Sequence, residues 1–155
     1  MALFLKNLLF VLILPGTVGV YVPLLLARGR VATSGLLFVL ACALLAVGVT
    51  LFAWCLWDFA VFGRGTPAPI DPPKRLVVRG LYRYTRNPIY VSALMVVLGW
   101  AVMFLTPALF IYAICLAFGF HLFVVFYEEP HLRRQFGAEY EDYCAKVGRW
   151  LPRLS

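Results

Sequence analysis

The sequence predicts an all-α integral membrane protein with four transmembrane helices and a C-terminal amphipathic interfacial helix. Three observations predict it. Of 155 residues, 63% are hydrophobic, against the ~45–50% apolar content of soluble chains, and mean hydropathy is +0.89. The apolar residues form four long runs. Lysine and arginine then fall almost entirely on one side of that arrangement. The length fits a single domain, residues 1–155.

Leu3 to Ala27 is the first expected span. It exceeds the ~7–15 residues of a signal-peptide core and lacks a small-residue cleavage site. Pro15-Gly16 falls inside it, where a kink is expected. Arg28-Gly29-Arg30 is a polar turn. Thr33 to Phe62 is the second span, longer than the ~20 residues a bilayer needs, so its far end projects or tilts. Asp58 near that end reads either as an interfacial acid paired with a loop arginine or as a polar contact in a site. Residues 63–74 carry two glycines and four prolines, which rules out a regular helix. The G-R-G there has no preceding strand, so it is not a Rossmann fingerprint.

Pro88 to Leu105 is the third span, with proline in the first helical turn. Thr106-Pro107 is a tight turn, and Ala108 to Tyr127 returns as the fourth span. From Pro130 to Val147, Leu132, Phe136, Tyr140, Tyr143 and Val147 recur at spacings of three and four, with charges on the other faces. That pattern is an amphipathic helix, interrupted near Gly137 and ended by Trp150-Leu151-Pro152 at the interface. With the 63–87 loop in the cytosol, both termini lie on its side and only Arg28 and Arg30 face out. The four cysteines include no C-x-x-C pair and the histidines number two, so no metal site is expected.

The chemistry concentrates in two places. Leu76 to Tyr90 reads L-V-V-R-G-L-Y-R-Y-T-R-N-P-I-Y, the basic stretch between two hydrophobic halves. Its tyrosines Tyr82, Tyr84 and Tyr90 suit an interfacial belt or the ring-face binding of a cation such as a sulfonium. Glu128 and Glu129 close the fourth span, where the negative helix end disfavours them without cations. Arg79, Arg83 and Arg86 are the expected partners, and Pro130 is expected to end or bend the helix. The pair reads as an ion-pair cluster or as binders of ligand hydroxyls or of a cationic head. His121, two turns earlier on the same face, is a packing residue or an intramembrane functional group.

L-V-x-x-G-x-Y-x-x-x-R-N-P-x-Y, then Glu128-Glu129, then F-G-x-E-Y-x-x-Y (Phe136 to Tyr143), K-V and L-P together resemble the isoprenylcysteine carboxyl methyltransferases and their phospholipid methyltransferase relatives. The likeness covers the chain from Gly63 on. It implies S-adenosylmethionine as methyl donor, held in a non-Rossmann pocket of the C-terminal half. By the same likeness Leu76, Val77, Gly80 and Tyr82 line the adenosine side, with Asn87, Pro88 and Tyr90 beside them. Glu128 and Glu129 hold ribose hydroxyls or the ammonium, Phe136, Tyr140 and Tyr143 cap the pocket, and Arg86 sits where donor meets substrate.

Two positions depart from the prenylcysteine enzymes. Asn87 stands where they have a histidine, and the fourth span lacks their arginine, Val124 occupying that region. Methyl transfer from a sulfonium chiefly needs alignment and exclusion of water. If the nucleophile carries a proton, His121, Glu129 and Asp58 are the candidate bases in that order. The expected acceptor is lipophilic and enters from the bilayer: a phospholipid amine, a prenylcysteine carboxylate or a similar nucleophile. No nucleic-acid partner is expected. The alternative function is a catalytically inactive membrane scaffold or lipid-binding protein of the same fold.

Overall fold

The computed structural model describes residues 13, 15–63 and 75–153, and the regular structure among them is helical. Most of the first expected span before Pro15 and the turn-rich 64–74 loop lie outside the described residues. The helices are α1 (Thr17–Leu26), α2 (Gly35–Asp58), α3 (Pro88–Phe104), α4 (Pro107–Phe123), α5 (Glu129–Phe136) and α6 (Ala138–Lys146). Two stretches, Gly35–Phe62 of 28 residues and Pro107–Phe136 of 30, are long and apolar enough to cross a membrane. Thr17–Leu26 and Pro88–Phe104 are shorter apolar helices.

Pro15 and Gly16 are helical, and the irregularity comes just after them, as a π turn over Thr17–Tyr21. Its cause is Pro23, which has no N–H to give the Gly19 carbonyl. The Val22 N–H reaches back five residues to the Thr17 carbonyl, bypassing Val18. Both carbonyls find donors on other helices. The Tyr112 hydroxyl donates to Val18 O at 3.0 Å, and Trp100 Nε1 donates to Gly19 O at 2.9 Å. The proline defect of α1 thereby becomes its attachment to α3 and α4.

α2 and α3 pack antiparallel along a seam of small residues. Ala41, Gly48 and Cys55 are buried on α2, and Ser92, Val96, Gly99 and Ala101 on α3. A Cβ on Gly48 would sit 2.8 Å from the Val96 side chain and 3.0 Å from the Ser92 carbonyl oxygen; one on Gly99 would sit 2.8 Å from Leu45. In lipid, such close approach supplies the dispersion contact that holds helices together. At one end of the bundle the Thr33 N–H donates to Met103 O at 2.7 Å, and Ala27, Ala101 and Leu109 form a small core with Trp100 and Phe104. The other end carries residues 75–87 and the tail.

Pro130 was expected to end or bend the helix, and it does not end it. A third π turn, Val124–Glu128, after those at Thr17–Tyr21 and Phe59–Gly63, absorbs it: the Glu129 N–H bonds the Val124 carbonyl five residues back. Proline then falls in the first turn of α5, where its missing N–H removes little. The break comes instead at Gly137, whose φ of 52° suits glycine. α6 folds back so that Tyr140, Tyr143 and Val147 pack with Leu76, Leu132 and Phe136.

Gly48→Ala is expected to push α2 from α3 and destabilise the protein by about 1–3 kcal/mol. In a detergent melting experiment that lowers the midpoint by about 2–10 °C; an unchanged midpoint would contradict the close crossing.

Candidate functional site

The site is built where the 75–87 segment, the end of α4 and the tail meet. Gly80 lets the segment close over the end of α2. Its φ is 55°, and a Cβ there would lie 2.3 Å from Asp58 Oδ2. Asp58 is thus sealed beneath Gly80, 4% exposed, and Oδ2 has no hydrogen-bond partner among the described residues. The 3-10 turn Gly80–Arg83 then directs Tyr82 inward. Tyr82 packs on Cys55 and Val77 and meets the Phe59 ring edge-on, with centroids 5.5 Å apart. The Tyr143 hydroxyl of α6 donates to Tyr82 O at 2.7 Å.

Residues 85–87 pair with the tail. Thr85 and Gly148 form an isolated parallel bridge, and the Arg86 N–H donates to Gly148 O at 2.9 Å. Thr85 Oγ1 and Asn87 Nδ2 both donate to Arg149 O at 3.0 Å. Asn87 therefore spends its side-chain donor on the tail backbone. That pairing delivers the Arg149 side chain to Glu129, with Nε and one terminal nitrogen donating at 2.6 and 2.9 Å. Arg86 reaches the same carboxylate at 3.2 Å and also donates to Cys144 Sγ at 2.7 Å. Glu129 is 6% exposed, so two guanidiniums match one buried carboxylate. Its hydrogen bond raises the affinity of the Arg149 guanidinium for its proton above the ordinary value.

The expected cation partners of the Glu pair are thus only partly those observed. Arg86 is one. Arg79 instead lies over the Phe62 ring, 3.6 Å from its centroid, Arg83 is exposed, and Arg149 takes the main share. Nothing periodic links Arg149 to Glu129 in the sequence. Glu128, one residue earlier, is turned away from the arginines and accepts a hydrogen bond from the Tyr90 hydroxyl.

Of the residues singled out from sequence, Leu76, Val77, Tyr82, Arg86, Asn87, Tyr90, Glu128, Glu129 and Tyr140 line one cavity, with open space of about 940 Å³ including its mouth. Tyr143 joins them, whereas Gly80, Pro88 and Phe136 are not in its lining. Pro88 is buried at the start of α3 and Phe136 packs behind α6. His121 does not reach it either: its Nδ1 accepts a hydrogen bond from Trp150 Nε1 at 3.2 Å. Val124, Tyr127 and His131 complete the α4–α5 side. Burial raises the Tyr82, Tyr140 and Tyr143 hydroxyls above their ordinary values, so at neutral pH they stay protonated. Arg86 Nε and the Tyr82 hydroxyl are buried with no hydrogen-bond partner among the described residues. Among those residues, no group of three or more His, Cys, Asp or Glu could hold a metal ion.

Two helices long and apolar enough to cross a membrane, in a bundle that closes at one end on an aromatic-walled cleft, are the features of a membrane protein. Residues 36–139 match the family model described as phospholipid methyltransferase, and the chain belongs to that family. The probable protein-S-isoprenylcysteine O-methyltransferases of Oryza sativa subsp. indica and Oryza sativa subsp. japonica are each 36% identical to it over 78 residues. Those residues are 50% of this chain and 41% of each relative, so the match spans less than half of theirs. No solved structure matches.

Glu129→Gln and Arg149→Met are expected to destabilise the protein singly by more than they do additively when combined, with a coupling of about 0.5–3 kcal/mol. Melting midpoints of the four-member cycle measure it. Strict additivity would mean that the ion pair does not hold the tail.

Proposed function

We propose that this protein transfers a methyl group from S-adenosylmethionine to a lipophilic acceptor in the membrane. One observation carries the proposal. A single cleft combines the Glu128 carboxylate, unpartnered buried donors on Arg86 and Tyr82, and walls of tyrosine. The donor's chemistry asks for that set. Ribose hydroxyls and an ammonium suit Glu128, a carboxylate suits the free Nε of Arg86, and a sulfonium suits ring faces at about 0.5–2 kcal/mol each. When bound, the donor supplies a methyl group already activated as a sulfonium.

The chain's own residues bind and align. Tyr90 holds the Glu128 carboxylate in place. Arg149 neutralises Glu129 together with Arg86, and ties the tail across the cleft. The packed faces of Tyr82, Tyr140 and Tyr143 exclude water, so the acceptor is the nucleophile that reaches the methyl carbon.

The membrane placement follows from length. At 1.5 Å per residue, Pro107 to Glu128 rises about 32 Å, close to the ~30 Å hydrocarbon layer. Glu128 then lies at one interface. Pro88–Phe104, with 17 residues, is at the short end of the ~17–25 that span. Four spans with both termini and the cleft on the cytosolic side satisfy the Lys and Arg distribution. The donor enters from water between loop and tail, and the acceptor sideways from the bilayer.

Calorimetric titration of S-adenosylmethionine into the detergent-purified protein is expected to give micromolar binding, displaced by S-adenosylhomocysteine. Glu128→Ala should weaken it by about 10–100-fold, the loss of one or two hydrogen bonds to a charged group, with the melting transition retained. No binding to folded wild-type protein at millimolar donor would overturn the proposal.

A further inference from the structure

On the α4–α5 rod, Phe123, Tyr127 and His131 follow one another at intervals of four, on one helix face. Their rings form a ladder. Phe123 and Tyr127 stack with centroids 5.0 Å apart, and Tyr127 and His131 lie within 4° of parallel at 6.3 Å. Phe123 and Tyr127 are 38% and 49% exposed, and Tyr127 and His131 belong to the lining of the cleft. Measured from Pro107 at 1.5 Å per residue, Phe123 lies at about 24 Å and His131 at about 36 Å. The ladder therefore runs from the acyl layer to the headgroup layer of a ~30 Å hydrocarbon core, ending at the mouth of the site.

The other acid–base groups nearby are engaged. Glu128 accepts from Tyr90, Glu129 is held by Arg86 and Arg149, and His121 is bonded to Trp150. His131 is the cleft imidazole, and among the described residues its contact is the stacked Tyr127 ring.

We infer that the ladder seats the chain of a lipid acceptor and that His131 takes the proton from the acceptor's headgroup nucleophile. The inference rests on the methyl-donor reading above. The acceptor is a lipid whose reacting nitrogen, oxygen or sulfur carries a proton. That proton passes to an imidazole nitrogen of His131. The acceptor's lone pair forms the bond to the methyl carbon as the carbon–sulfur bond of the sulfonium breaks, its electron pair staying on sulfur. The imidazolium then returns its proton to water at the headgroup level. His131 is a catalytic residue in this scheme, and Tyr127 positions it.

The test uses the full chain in nanodiscs. A phosphatidylethanolamine with a diazirine in its acyl chain is photolysed and the labelled peptide is identified. Label within residues 123–131 is expected, and label confined to other helices overturns the seat. Turnover is then measured with phosphatidylethanolamine, a long-chain thiol and N-acetyl-S-farnesylcysteine, whose carboxylate brings no proton. His131→Gln should lower kcat for the proton-bearing acceptors by about 100-fold or more, while calorimetric donor affinity and the crosslink stay as in wild type. Unchanged kcat for the proton-bearing acceptors in His131→Gln, a loss of donor affinity, or an unmutated enzyme that methylates only the carboxylate acceptor would overturn the role of His131. Failure of the methyl-donor reading is separately visible, as absence of donor binding to the wild-type protein.

Discussion

A buried carboxylate must be matched by cations, and Glu129 is matched by Arg149 and Arg86. The rest of the site depends on that requirement. Arg149 is twenty residues further along the chain and reaches Glu129 only if the tail folds back against residues 85–87. The bridge at Thr85 and Gly148 and the hydrogen bonds to Arg149 O fix that return. Once the tail is there, α6 lies over the cleft and Tyr143 can donate to the Tyr82 carbonyl. Removing Arg149 alone would leave the buried Glu129 charge undercompensated and release the wall in front of it.

The prolines within these helices follow one logic. Each lacks an N–H and would collide with the turn before it. In α1 and ahead of α5 the helix widens by a residue instead of breaking, and the ring is accommodated. The first widening exposes carbonyls that Trp100 and Tyr112 take up. The second contains Glu128 and ends just before Glu129, and the two diverge, Glu128 toward Tyr90 and Glu129 toward the arginines. π turns recur at functional sites for such reasons.

Much of the framework was legible in the sequence because hydropathy and helical spacing are local signals. The apolar face that carries Tyr140 and Tyr143 followed from the three-and-four pattern, the break from Gly137, and the place of the two tyrosines at the cleft from the family resemblance. Ten residues singled out beforehand share one cavity because they lie on three short motifs. Less local features were not legible. The continuation through Pro130 depends on a π turn, which has no sequence signature as plain as a cap. The Arg149–Glu129 pair depends on a chain reversal, so nearer arginines looked like better partners. The same blindness affected the histidines. His121 stood out by its depth in an apolar run, whereas His131 read as one more polar residue of an amphipathic helix; only the rotation of the rod about its axis shows which faces the cleft.

Pro107–Phe136 is a single helical rod of 30 residues, about 45 Å long. It carries both the aromatic ladder and the glutamates of the cleft, so in a bilayer that it crosses it would act as a ruler fixed to the protein. A thicker membrane draws Glu128 and His131 toward hydrocarbon or tilts the rod; a thinner one lifts them into water. Bilayer thickness is thereby a coordinate of the site itself, and membranes that differ by a few ångströms present this protein with different electrostatic surroundings for the same residues.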